Sequence, residues 1–326
     1  MSGRIAVIGA GAWGTALAAA ATRGGGDCVL WGRDAETVAE INETRRNSRY
    51  LGNIALPDGF SATADLGEAL DGAVIVLLAV PAQTLATVVA DCAETAARAS
   101  LFMSCAKGID RETGQSMTAI IADTFGRDRA AVLSGPSFAA DVAAGLPTAV
   151  TVAAGQLETA HALAAALSGP TLRCYASDDV AGVELGGALK NVLAIAAGIV
   201  HGRALGASAL AAMTTRGFAE LRRVAAALGG QPETLSGLSG LGDLILTCGS
   251  EKSRNFAYGA ALGRGNSLKD LPLAEGVHTA SMAARLAHEA GVEAPIIEAV
   301  DAILAGRTGI DETIGGLMAR PLKAET

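Results

Sequence analysis

The chain has 326 residues, half of them hydrophobic but only 3% aromatic, so its cores must be built from Ala, Val, Leu and Ile; since a single core stops growing at about 250–300 residues, two domains are expected. A formal net charge of -8, with no basic cluster longer than Arg45-Arg46 or Arg222-Arg223, argues against nucleic acid as a partner and confines phosphate recognition to local sites. Five cysteines without a CxxC pair and four scattered histidines imply neither a disulfide framework nor a metal site, and the uncharged stretch 142–157 is broken by Gly145, Pro147 and Gly155 and too short for a membrane span, so the expectation is a reducing, cytoplasmic protein.

In chain order, an apolar run at 5–8 predicts a strand and an alanine-rich run at 15–21 predicts a helix, joined by Gly9-Ala10-Gly11-Ala12-Trp13-Gly14. In a dinucleotide-binding unit the first glycine permits the tight turn, the second admits a pyrophosphate against the backbone, and the third lets helix and strand pack closely. The helix then aims its free N–H groups and positive dipole end at the phosphates. A second strand, 28–31, completes a unit of about 30 residues. At its end, where an acid usually receives the ribose 2′-hydroxyl of NAD(H), stand Gly32-Arg33-Asp34. Arg33 tilts the reading to NADP(H), and Asp34, at a permissible distance, keeps NAD(H) open.

Residues 34–47 read as a polar helix, followed by a loop with Pro57-Asp58-Gly59, and 73–80 as a strand of a parallel sheet buried on both faces. Strand 101–105 runs into Ala106-Lys107-Gly108, and strand 131–134 into Gly135-Pro136-Ser137-Phe138. Open parallel sheets bind ligands beyond the carboxyl ends of their strands, which places Lys107, Gly135 and Ser137 at a shared crevice; ordinary strand-exit turns are the alternative. Strands at 149–153 and 172–175 flank a helix at 158–167. Beyond Ser177-Asp178-Asp179 helical periodicity takes over, at 181–200, 208–228, 279–290 and 296–304. The expected architecture is an α/β Rossmann-type doubly wound sheet over 1–180, followed by an all-α substrate domain over 181–326.

Two features of the helical half are chemically odd. Lys190 interrupts a segment that is apolar almost all round; burial lowers a lysine's pKa until the neutral amine can act as a general base, whereas at a helix surface the side chain would reach water. Ser253-Arg254-Asn255 follows a polar loop and precedes a short helix at 256–262, which makes either an anion pocket with Ser253 as N-cap, suited to a phosphorylated substrate, or plain capping. Asp243, alone in an apolar run, either orients a lysine or caps the segment that follows.

These residues fall in segments that resemble the bacterial NAD(P)-dependent glycerol-3-phosphate dehydrogenases: GAGAWGTALA from Gly9, CAKGI from Cys105, SGPSFA from Ser134, ELGGALKNV from Glu184, TRGFAE from Thr215, GLGDLILTC from Gly240, SRN from Ser253 and AEG from Ala274. The resemblance implies interconversion of sn-glycerol 3-phosphate and dihydroxyacetone phosphate with NAD(P)(H), the reductive direction feeding glycerophospholipid synthesis. It implies Lys190 as proton acceptor, and a substrate site of Lys107, Gly135, Ser137, Asp243, Ser253, Arg254 and Asn255. Cofactor contacts are implied for Ala12, Trp13, Arg33, Lys107, Ala139, Arg254, Leu273 and Glu275, beside Gly9, Gly11 and Gly14, with supporting roles for Asn191 and Thr247. Ser208-Ala209-Leu210 stands where the family has Asn-Ala-Lys/Arg, Ala274 where Val is common, and the match thins after Gly315. A related hydroxyacid dehydrogenase and a non-catalytic nucleotide sensor are the alternatives, and a homodimer is compatible with the sequence.

Overall fold

A computed structural model describes residues 3–95, 101–269, 271–322 and 324. Eight strands form one sheet: β1 (Arg4–Ile8), β2 (Cys28–Trp31), β3 (Ser61–Thr63), β4 (Ala73–Leu78), β5 (Leu101–Ser104), β6 (Ala130–Ser134), β7 (Thr148–Ala154) and β8 (Leu172–Ser177), in the order β3-β2-β1-β4-β5-β6-β7-β8. Along β1, Ile5 and Val7 enter the apolar cluster on one face while Ala6 and Ile8 enter that on the other, so both faces are covered by helices and the strands read as unbroken apolar runs. Strand order reverses between β1 and β4, and the crevice opens beyond their carboxyl ends.

Three expectations change. The sheet is not parallel throughout, because β7 runs antiparallel to β6, with Leu133 opposite Val152. β3 went unpredicted because it is three residues long and half polar; it is held as an edge strand by parallel pairing with β2. The polar helix is shorter than expected, Ala35–Thr44, with Asp34 as its N-cap and Arg45 leaving it in the left-handed region.

The glycine turn follows its physics closely. Gly9 has φ +118°, a Cβ on Gly14 would lie 1.9 Å from the Gly9 carbonyl oxygen, and a Cβ on Gly11 would meet nothing within 4 Å. The first helix, Ala12–Arg23, starts without a side-chain cap, which leaves its N–H groups for a ligand.

After Ser177 the chain is helical among the described residues. The central helix, Val180–Gly202, has Asp179 as N-cap, and its residues 182–199 are all buried. It is long and apolar enough to cross a membrane, but it is the core of the helical half: Leu189, Val192, Leu193 and Ile195 pack there with Leu221, Phe256 and Ile297. Helix Arg254–Arg264 presses directly on it. A Cβ on Gly198 would stand 2.1 Å from the Phe256 carbonyl oxygen, and one on Gly259 2.1 Å from that of Ile195, so the backbones themselves are in contact. From a neighbouring helix, Ala207–Ala227, buried Glu220 accepts from the backbone N–H groups of Ile296 and Ile297 and caps helix Pro295–Leu304.

Because no rotamer relieves a backbone clash, Gly198→Ala must push the two helices apart. Its expected cost is about 1–3 kcal/mol of stability, typical of overpacking; urea unfolding checks this, and an unchanged midpoint contradicts the backbone contact.

Candidate active site

Two strand-exit loops and two helices converge where the sheet's carboxyl edge meets the central helix. Lys107 leaves β5, Gly135 and Ser137 leave β6, Lys190 lies mid-way along the central helix, and Asp243 opens helix Asp243–Cys248. The Asp243 carboxylate bridges the two lysines: Lys107 Nζ donates to Oδ2 at 2.6 Å and Lys190 Nζ to Oδ1 at 2.7 Å. Lys190 also donates to Thr247 Oγ1 at 2.6 Å, and Lys107 to the Gly135 carbonyl at 2.9 Å. That carbonyl accepts from Ser137 Oγ as well, at 3.0 Å. Gly135 adopts φ +152° with Val150 Cα 2.9 Å from where a Cβ would be, so no other residue could present its carbonyl there without strain.

The cluster is dry. Side-chain exposure is 2% for Asp243 and 7% for Lys190, against 18% for Lys107. Burial brings the Lys190 ammonium down to about 8 even though Asp243 pulls it upward, and Lys107 adds to the lowering. Burial alone would raise the Asp243 carboxyl; Lys107 and Lys190 outweigh it and hold it below the usual carboxylate range. Of the two readings of Lys190, the buried one holds, and Asp243 orients a lysine while also opening its helix.

A chain of amides backs the cluster. Asn191 Nδ2 donates to the Lys107 carbonyl at 3.0 Å, Asn255 Nδ2 donates to Asn191 Oδ1 at 2.9 Å, and the Gly276 backbone N–H donates to Asn255 Oδ1 at 2.9 Å. Asn255 therefore has one N–H outside these bonds and uses the rest of its amide as a strut. Ser253 is the N-cap of helix Arg254–Arg264, accepting from Phe256 N, and Arg254 is exposed at its first position. From the same loop Lys252 reaches to 3.9 Å from Asp141, beside the β6 exit, a cross-cleft contact the sequence did not suggest.

On the cofactor side, the buried polar atoms without a partner among the described residues include Trp13 Nε1, at the start of the first helix, and Glu275 Oε2, at the start of helix Glu275–Glu289. Burial raises the Glu275 carboxyl, opposed by an N–H from Ala82 and by the charges of Arg254 and His278. A donor and an acceptor left unpaired, an open approach at Gly11 and an uncapped helix N-terminus suit a ligand with phosphate, amide and hydroxyl groups, and NAD(P)(H) fits that set. Ala139 begins the helix after the β6 exit, and Leu273 is exposed just before Glu275. Arg33 is exposed at the end of β2. Thr247 and Asn191 are the residues that spacing alone did not bring out: a threonine in an apolar run and an asparagine beside a lysine carry no pattern of their own.

Residues 4–160 match the family model of the NAD-dependent glycerol-3-phosphate dehydrogenase N-terminus, and residues 179–315 that of its C-terminus. The chain is 60% identical over 322 residues to a glycerol-3-phosphate dehydrogenase [NAD(P)+] of Chelativorans sp., covering 98% of each chain. It is 56% identical over 325 residues to that of Brucella canis, covering 100% of each. The crystal structure of glycerol-3-phosphate dehydrogenase from Coxiella burnetii superposes with a TM-score of 0.92 at 36% identity, over 98% of this chain and 99% of that one.

Proposed function

The chain belongs to the NAD-dependent glycerol-3-phosphate dehydrogenase family, and from that premise we propose that its buried Lys107–Asp243–Lys190 cluster carries the proton chemistry of the reaction. The enzyme is an NAD(P)-dependent oxidoreductase that interconverts sn-glycerol 3-phosphate and dihydroxyacetone phosphate. The hydroxyacid dehydrogenase and sensor alternatives give way to it. The bound cofactor accepts or supplies hydride. Gly9, Gly11 and Gly14, with the start of the first helix at Ala12 and Trp13, would hold its pyrophosphate, and Arg33, Ala139, Leu273 and Glu275 would flank the rest.

The observation that carries the proton assignment is the geometry at Lys190. A neutral amine that donates to both Asp243 and Thr247 has committed its two hydrogens and keeps its lone pair for the substrate hydroxyl. In oxidation Lys190 takes that proton; in reduction the ammonium returns one to the forming alkoxide. Asp243 keeps the resulting cation tolerable in a dry site, and Lys107 offers its remaining N–H to the same oxygen. Ser253, Arg254 and the free N–H of Asn255 receive the phosphate, with Ser137 and Gly135 opposite. The β6 exit and helix Arg254–Arg264 thereby form two walls of the substrate site.

Residues 1–180 serve as the dinucleotide-binding domain and 181–326 as the helical substrate domain; the end of the sheet at Ser177 and the helix starting at Val180 support that division. Support for NADP(H) over NAD(H) comes from exposed Arg33, beside an Asp34 already engaged as a helix cap. A cytoplasmic homodimer supplying glycerol 3-phosphate for glycerophospholipid synthesis is consistent with this enzyme class.

Lys190→Ala is expected to reduce turnover by about 10²–10⁴-fold, the usual worth of a general base, while cofactor affinity measured by fluorescence titration stays within twofold; undiminished turnover rules the base out. In the wild type, a group titrating near 8 is neutral above that pH, so oxidation should rise and reduction fall as pH increases through about 8. Rate profiles in both directions test the sign, and parallel profiles contradict it. Arg254→Ala should chiefly raise the substrate KM: a charge-assisted contact to a dianion is worth about 1.5–3 kcal/mol, or about 10- to 150-fold. An unaltered KM places the phosphate elsewhere.

A further inference from the structure

The adenosine end of the cleft holds a second arginine besides Arg33. Gly32 follows β2 with its N–H donated to the Thr63 carbonyl, and a Cβ there would stand 2.7 Å from the Cβ of Ala10, so an acid cannot occupy that position without displacing it. Asp34, the next carboxylate, is committed on both oxygens: Oδ1 accepts from Glu36 N at 3.1 Å, and Oδ2 from Thr37 Oγ1 at 2.8 Å. The same Oδ2 lies 3.4 Å from Arg49 Nη1, in an ion pair whose side chains are 67% and 48% exposed. Arg33, exposed between Gly32 and Asp34, makes no hydrogen bond or ion pair to the described residues.

The turn that carries Arg49 is anchored to the glycine loop. Fully buried Asn47 donates its amide to the Ala10 carbonyl at 3.0 Å and to Thr15 Oγ1 at 2.8 Å. The two helix-start residues that follow, Ser48 and Arg49, are thereby fixed relative to the pyrophosphate-binding backbone, and Arg49 lies over the Tyr50 ring, 5.3 Å from its centroid. At the end of β2, then, no carboxylate is free to receive a ribose 2′-hydroxyl, while one guanidinium is unpaired and another is held by a solvent-exposed, and therefore weak, ion pair.

We infer that Arg49 forms with Arg33 a two-guanidinium clamp for the 2′-phosphate of NADP(H), with Asp34 holding Arg49 beside the site and competing for it. The inference rests on the cofactor reading above, in which Arg33 takes the 2′-phosphate. A phosphomonoester carries about 1.5–2 negative charges near neutral pH and accepts bidentate arginine, so it draws Arg49 from a single carboxylate already shared with Thr37. Asp34 remains the helix cap in either state.

The test is calorimetric titration with adenosine 2′,5′-bisphosphate and with 5′-AMP, which differ by the 2′-phosphate alone, on the wild type, Arg33→Leu, Arg49→Leu and Asp34→Asn. Arg49→Leu is expected to weaken the bisphosphate by about tenfold or more and to leave 5′-AMP unchanged. Asp34→Asn keeps a capping side chain but removes the competing charge, and should tighten the bisphosphate several-fold. Equal weakening of both ligands by Arg49→Leu, or weakening of neither, overturns the clamp. No effect of Asp34→Asn overturns the competition. If Arg33→Leu is also silent toward the bisphosphate, the underlying cofactor reading falls; if Arg49→Leu alone is silent, that reading stands without the clamp.

Discussion

Everything chemical in this protein depends on three helices approaching one another more closely than side chains allow. The central helix meets helix Arg254–Arg264 backbone to backbone through Gly198 and Gly259, and helix Glu275–Glu289 through Gly276, whose Cβ would stand 2.5 Å from the Asn191 carbonyl oxygen. At that separation short amide side chains can span the gaps, and the Lys107–Asn191–Asn255–Gly276 chain does so. Glycines set the distance and asparagines fix the register. The lysine next to Asn191, the arginine next to Asn255 and the glutamate next to Gly276 are consequently placed by backbone geometry rather than by their own flexible side chains.

The electrostatics follow from that packing. Two lysines and one aspartate are taken out of water together, which is costly for each and tolerable only because each satisfies another. The count is uneven: one carboxylate serves two ammonium groups. The balance can be restored by Lys190 giving up its proton, which is the state a base requires, or by a substrate bringing negative charge, which a phosphate or a developing alkoxide does. That surplus positive charge holds Asp243 down, while Lys190 is lowered chiefly by burial, with Lys107 adding to it against the pull of Asp243. In a protein of net charge -8 that surplus is confined to the place where an anion must bind.

Much of this was legible in the sequence, for identifiable reasons. β1, β4 and β6 are continuous apolar runs because both faces of the sheet are buried, and the glycine turn announces itself by spacing. Lys190 stood out because a charge in an all-apolar helix has few innocent explanations, and Asp243 because it is a lone carboxylate in an apolar run. What was hidden is non-local. Helices Leu85–Ala93 and Met117–Phe125 have no strong pattern; the second is completed by Glu184, 66 residues away, accepting from Thr118 N and Oγ1. The antiparallel entry of β7 is a choice of partner, which periodicity does not encode. Asn47 reads as one more polar residue in a polar segment, and only its burial against Ala10 and Thr15 gives it a role.

The two ends of the cleft use different physics, and that difference decides where the protein can change. At the reacting end Lys190, Asp243 and Thr247 are buried and share their partners: Asp243 holds Lys107 and Lys190, and Thr247 touches both Lys190 and Asp243. Replacing one member leaves another charge unpaired in a dry site, so chemistry and stability are coupled there. At the adenosine end the glycine turn and the uncapped helix start offer backbone N–H groups that no side-chain substitution removes, while Arg33, Asp34 and Arg49 all sit in solvent. Substitutions at Arg33 and Arg49 cost little folding energy, and at Asp34 little beyond the cap; all three act on the group attached to the ribose. On the inferred clamp, cofactor preference rests on the cheapest residues in the site, and on the proposed proton route the chemistry rests on the most constrained ones.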